Sequence, residues 1–147
     1  MRAWIWLRVL AGVLLFFTLG HTMGVLTPPA GGSPAAGVLE TMRSVHFPVM
    51  GFERSYAEFY RGFGLFVSMT FAILAVIAYQ LSVVSKRDPR QAIPMAITLQ
   101  AACVTSAILS WQFFFAAPIV MSLVAVACST MATANLVRDS RVENLKP

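Results

Sequence analysis

Charge is what this sequence has least of: 12% of its 147 residues are Asp, Glu, Lys or Arg, against roughly 25% in ordinary soluble domains. Together with 58% apolar residues and a mean hydropathy of +0.73, that deficit excludes an ordinary water-soluble globule. Disorder is excluded too, because it requires low hydrophobicity and high charge. Cysteine is almost as scarce. Cys103 and Cys128 form no C-x-x-C pair and no metal-type spacing, which argues against a thiol–disulfide enzyme or a cysteine metal site. Acidic and basic residues are missing altogether from Gly62–Ser85 and Gln91–Val137. Ion and proton pathways need such groups inside the membrane, so transport loses its usual signature. The net charge of +5, from 11 basic and 6 acidic residues, accompanies no base-reading module, so nucleic acid is not an expected partner. No catalytic motif and no internal repeat is present, and no cofactor is assigned.

What is present is length without charge. Gly62–Ser85 gives 24 uncharged residues, and a helix of about 20 crosses about 30 Å of hydrocarbon. Gln91–Val137 gives 47, enough for two crossings joined at the run Trp111, Phe113, Phe114, Phe115 and Pro118, since Pro starts helices more readily than it continues them. Spans are therefore expected near residues 62–84, 92–113 and 118–137. A first span near residues 4–26 includes Arg8, which can snorkel to the head groups. Its basic start and apolar run also fit a cleaved secretory signal. Retention is favoured because Trp4–Leu26 supplies 23 residues, enough to cross.

The fold class expected is all-α: a membrane four-helix bundle with an outer amphipathic loop helix, in one integral membrane domain. Arg2, Arg8, Lys86, Arg87, Arg90, Arg138, Arg141 and Lys146 fall on one side of that scheme. Arg43, Arg54 and Arg61 on the other side are offset by Glu40, Glu53 and Glu58. The bias of Lys and Arg toward the cytoplasm then puts both termini there, and the basic side attracts anionic lipid.

The outer segment, Thr27–Arg61, is longer than a connector needs to be. Its Pro- and Gly-rich start forms a linker, and Ala35–His46 reads as a short helix carrying Val38, Met42 and Val45 on one face. Pro48 and Gly51 break it. From Phe52 the spacing predicts renewed helix, with Arg54–Glu58 and Glu58–Arg61 pairs and an aromatic stripe of Phe52, Tyr56, Phe59 or Tyr60, and Phe63. A helix from Phe52 to Ser85 would be about 51 Å long, so it must protrude or bend, with Gly62 and Gly64 as candidate bend points. The stripe fits an interfacial aromatic anchor.

This topology collects polar residues at the outer rim: His21, His46, Glu53, Arg54, Glu58, Tyr60 and Gln112 form a candidate binding pocket. An ionisable group within a span is a functional candidate, although a histidine near a rim also serves simply by hydrogen-bonding a neighbour. Gly20 and Gly24 flank His21 in the G-x-x-x-G spacing that permits close helix contact. Thr98, Thr105 and Gln112 on the third span, and Ser122, Ser129 and Thr133 on the fourth, are expected to face each other. Cys103 and Cys128 lie near mid-span, within reach of each other as small interface residues.

The Arg-flanked first span, Gly20-His21-Thr22, the long outer segment and the final tight hairpin together resemble the small four-span bacterial membrane proteins of the DoxX-like families. The resemblance implies a four-helix inner-membrane bundle and carries no chemistry with it. Three functions stay open. The chain is expected to be a non-catalytic component interacting with membrane lipids, another membrane protein or its own copies. It could instead bind or transform a small apolar lipid-like molecule in a pocket around His21. The third reading is a haem or quinone redox protein.

Overall fold

The computed structural model describes residues 2–143; Lys146 lies outside them. Among the described residues, four helices are long and apolar enough to cross a membrane: α1 (Ala3–Leu26), α3 (Tyr56–Arg87), α4 (Pro89–Phe113) and α5 (Ala116–Glu143). Between α1 and α3 lie a short helix α2 (Pro34–Ser44) and two strands, β1 (His46–Val49) and β2 (Phe52–Ser55). The class is the expected all-α membrane bundle. Charge marks one inter-span boundary and an aromatic corner the other: Asp88 alone separates α3 from α4, and the uncharged Phe114–Phe115 corner separates α4 from α5.

Capping explains these boundaries. Asp88 accepts from the backbone N–H groups of Arg90 (2.9 Å) and Gln91 (3.2 Å), and Pro89 occupies the first helical position, where its missing N–H costs nothing. Ser33 caps α2 in the same way, accepting from Ala36 N–H at 3.2 Å ahead of Pro34.

The chain forms two compact units, one from the described parts of Met1–Phe17 and Phe71–Pro147, the other from Thr18–Thr70. The first holds the core: Leu7, Leu10 and Leu14 of α1, Ala75, Ala78 and Leu81 of α3, Ala92, Ala96, Leu99 and Cys103 of α4, and Ala125, Cys128, Ala132 and Leu136 of α5. Small residues dominate this list because lipid is as apolar as leucine, so helices in a bilayer gain by close approach rather than by hiding apolar surface. The cysteines are free thiols filling that core.

The expected facing of polar stripes does not occur. Ser122 and Ser129 are buried, but Thr98, Thr105 and Gln112 are exposed. The buried hydroxyls bond to their own helix: Ser122 donates to the Ile119 carbonyl and Ser129 to that of Val126, both at 2.9 Å. One polar link from α4 to α5 is Gln100 Nε2 donating to Thr130 Oγ1 at 3.1 Å.

The second unit departs most from expectation. His46 does not end a helix but opens β1, and Phe52–Ser55 is strand rather than helix, paired antiparallel with Val49 opposite Phe52 and His46 opposite Ser55. Met50 (φ 49°) and Gly51 (φ 85°) make the two-residue turn. Positive φ at both positions matches the right-handed twist of the strands. The Val45 carbonyl accepts from Tyr56 N–H at 3.2 Å, fixing the hairpin to the start of α3. On α2, Ala36, Leu39 and Met42 are the half-buried residues, while Val38 is exposed.

Strand geometry at Arg54 removes the expected Arg54–Glu58 pair. Glu58 turns back on Ser55 instead: Oε2 accepts from Ser55 N–H (2.8 Å) and Ser55 Oγ (3.1 Å), and Glu58 N–H donates to Ser55 Oγ at 3.2 Å. This reciprocal Ser-x-x-Glu cap satisfies amide donors that the first turn of α3 would otherwise leave unpaired. Ser55→Ala is expected to cost about 1 kcal/mol and to speed amide exchange over residues 56–59. Unchanged exchange there would show that the cap does not hold the helix start.

Gly20 and Gly24 are exposed, and a Cβ on either would meet nothing within 4 Å. The close approach between α1 and α3 lies elsewhere: a Cβ on Gly64 would stand 2.6 Å from Val25 Cγ2. Helix α3 runs unbroken through Gly62 and Gly64.

Candidate functional site

Six of the seven rim candidates belong to the unit Thr18–Thr70, whereas Gln112 belongs to the other. His21 on α1 is half-buried and its Nδ1 lies 2.9 Å from Ser68 Oγ on α3, with Ser68 Oγ in turn donating to the Gly64 carbonyl at 3.3 Å. The imidazole thus serves as one link of an interhelical polar contact, one turn from the Val25–Gly64 approach. His46 is exposed, its Nδ1 3.2 Å from the Ser44 carbonyl. Glu53 is exposed on β2, and Tyr60 is exposed on α3.

Arg54 and Glu58 are the two candidates that share a concavity. They line an open groove of about 430 Å³ with Phe59, Gly62, Phe63 and Phe66. Phe59, Phe63 and Phe66 recur at helical spacing and form one wall, and Gly62 leaves room between them. Arg54 is held at the rim by donating from Nη1 to the Glu53 carbonyl (2.9 Å) and by lying over the Phe52 ring, 5.5 Å from its centroid. The hairpin braces the wall. Phe47 contacts Tyr56 (ring centroids 4.8 Å apart) and meets Phe59 edge-on at 5.7 Å, and Phe59 meets Phe63 at 4.7 Å. Such aromatic contacts add about 0.5–1.5 kcal/mol each beyond area burial, enough to fix the ring positions.

Chemically, the groove offers an apolar aromatic wall with one cation and one carboxylate at its rim. It brings no nucleophile and base together, and Glu58 already serves as a helix cap. Among the described residues, no group of three His, Cys, Asp or Glu is placed to hold a metal ion. The helical spacing of Phe59 and Phe63 was legible in the sequence. Phe66 continues that spacing, but the hairpin that braces the wall had no visible signal.

No family model, no curated protein and no solved structure matches this chain. The fold and the groove define a multi-pass membrane protein with an aromatic surface cleft.

Proposed function

We propose that this chain is a non-catalytic component of a bacterial inner membrane that holds an amphiphilic lipid in the groove of Arg54, Glu58, Phe59, Phe63 and Phe66, with both termini cytoplasmic. The observation that carries the reading is the groove itself. Three phenylalanines, between 52% and 62% exposed, line a cleft whose rim presents opposite charges. An acyl chain suits the aromatic wall, and a zwitterionic or hydrogen-bonding head suits Arg54 and Glu58. Tyr56 and Tyr60 on the same helix suit the interfacial depth at which aromatic residues concentrate. The excess of Lys and Arg at the termini and the α3–α4 corner supports the orientation.

Photoactivatable phosphatidylcholine, incorporated into vesicles with the purified full chain, tests this directly. Label is expected to concentrate on residues 54–66 relative to the exposed α5 residues Val120 and Leu123, and to fall to that background in Phe63→Ala/Phe66→Ala. Equal labelling of both regions in the unaltered protein would remove the groove as a lipid site.

A further inference from the structure

A second cleft, of about 380 Å³, lies in the unit that contains the core and is lined by Arg2, Trp4, Ser85, Lys86, Pro89 and Asp139 together with Ala3. It joins the start of α1, the α3–α4 corner and the last turns of α5. We propose that this cleft binds the phosphate group of an anionic membrane phospholipid, with Arg2 and Lys86 as its cationic contacts.

Unbalanced charge is the first ground. Among the described residues, neither Arg2 nor Lys86 has a carboxylate partner, whereas Asp139 lies 3.7 Å from the Arg138 guanidinium. The cleft is thus net positive, with its one carboxylate already engaged. Placement is the second. Lys86 Nζ lies 4.1 Å from the centroid of the Trp4 ring, and Arg8 lies over Trp4 at 5.1 Å and over Tyr79 at 5.8 Å. Stacking on a ring face orders a cation without neutralising it, so the ammonium keeps N–H donors for an oxyanion. The Ser85 hydroxyl donates to the Ser82 carbonyl at 3.0 Å, which leaves the two cations as the cleft's strong donors.

The third ground is location. The residues of the cleft stand at the ends of helices long and apolar enough to cross a membrane, where a phosphate would meet the cations while its acyl chains lie along the apolar helix surfaces. A phosphate offers several oxygens to several donors, which suits paired cations better than a carboxylate headgroup would.

Native mass spectrometry of the full chain, titrated with phosphatidylglycerol or phosphatidylcholine in mixed micelles, reads the preference. Each basic residue at an anionic lipid surface is worth about fivefold in affinity. The first phosphatidylglycerol is therefore expected to bind about tenfold or more tightly than phosphatidylcholine, and Arg2→Gln/Lys86→Gln should bring the two lipids to near parity. Arg87→Gln/Arg141→Gln removes the same charge outside the cleft and should leave most of the preference. Equal loss in both double variants would mean diffuse attraction and overturn the proposal, as would no preference in the unaltered chain. Millimolar inorganic phosphate distinguishes the source: a bound phosphate that excludes phosphatidylglycerol would make the cleft a site for soluble phosphate and refute the lipid assignment. Phe63→Ala/Phe66→Ala should leave the preference intact, so failure of the aromatic groove as a lipid site would not affect this result.

Discussion

Gly64→Val should be among the most damaging single substitutions in the chain, destabilising it by about 1–3 kcal/mol, the usual range for overpacking. The reason is local and steric. A Cβ at residue 64 would stand 2.6 Å from Val25 Cγ2 and 2.9 Å from Cγ1, and Val25 cannot swing away cheaply because a β-branched side chain in a helix has one strongly preferred rotamer. Relief would require α1 and α3 to separate, which would also stretch the His21–Ser68 contact one turn along. Gly64→Ala tests the same contact with less bulk, and Val25→Ala should recover much of its loss. Their double-mutant coupling is expected to be about 1 kcal/mol or more. Gly20→Ala and Gly24→Ala serve as the contrast. With open space around both positions, they should be neutral or stabilising by up to about 1 kcal/mol, through helix propensity alone. Reversible unfolding in bicelles measures all of these variants. If Gly64→Ala proved as harmless as Gly24→Ala, the close approach at Val25 would be refuted.

The contrast between Gly64 and the Gly20/Gly24 pair shows what the sequence could convey. Crossing segments were legible because charge is absent over long stretches and returns at Lys86, Asp88 and Arg138, and water enforces that pattern. Which face of a crossing helix turns inward is not enforced in this way, because lipid does not penalise exposed leucine. Seven-residue spacing made Thr98, Thr105 and Gln112 resemble an inner stripe, yet all three are exposed. The inner face of α4 is marked by Ala92, Ala96, Leu99, Cys103 and Ser110, all but Leu99 small residues that permit close packing. The hairpin had a different obstacle. Its turn is Met50-Gly51 rather than the Asn-Gly or Asp-Gly pair that signals such turns, and Pro48 argues against strand on sequence grounds. Pro48 is tolerated because the sheet has two strands and both are edges. The Arg54–Glu58 spacing suggested helix, whereas Ser55 and Glu58 held the opposing signal three residues apart. Of the rim candidates, Arg54 and Glu58 lie four residues apart in sequence and line one groove. Their joint role as the rim of an aromatic groove depended on the hairpin.

Leu10→Ala and Leu136→Ala test the solvent in which the core formed. Both leucines are fully buried in the unit that holds the core. In a water-soluble protein such substitutions cost about 2–5 kcal/mol, part of it lost transfer from water and part the cavity left behind, at about 24 cal/mol per Å³. Within a bilayer the transfer part largely vanishes, because the unfolded helix would place the same leucine in lipid of similar polarity. The cavity part remains, since lipid tails cannot fill a void between packed helices. A loss of about 1–3 kcal/mol is therefore expected at each position, with Phe16→Ala, at a residue 67% exposed, costing less than about 0.5 kcal/mol. Unfolding of the three variants in bicelles checks the ordering. A loss of about 4–5 kcal/mol at Leu10 and Leu136 would mean that transfer from water still contributes at these positions. That outcome would contradict the membrane-embedded bundle, because the same side chains cannot both face lipid in the unfolded helices and gain the full hydrophobic increment on packing.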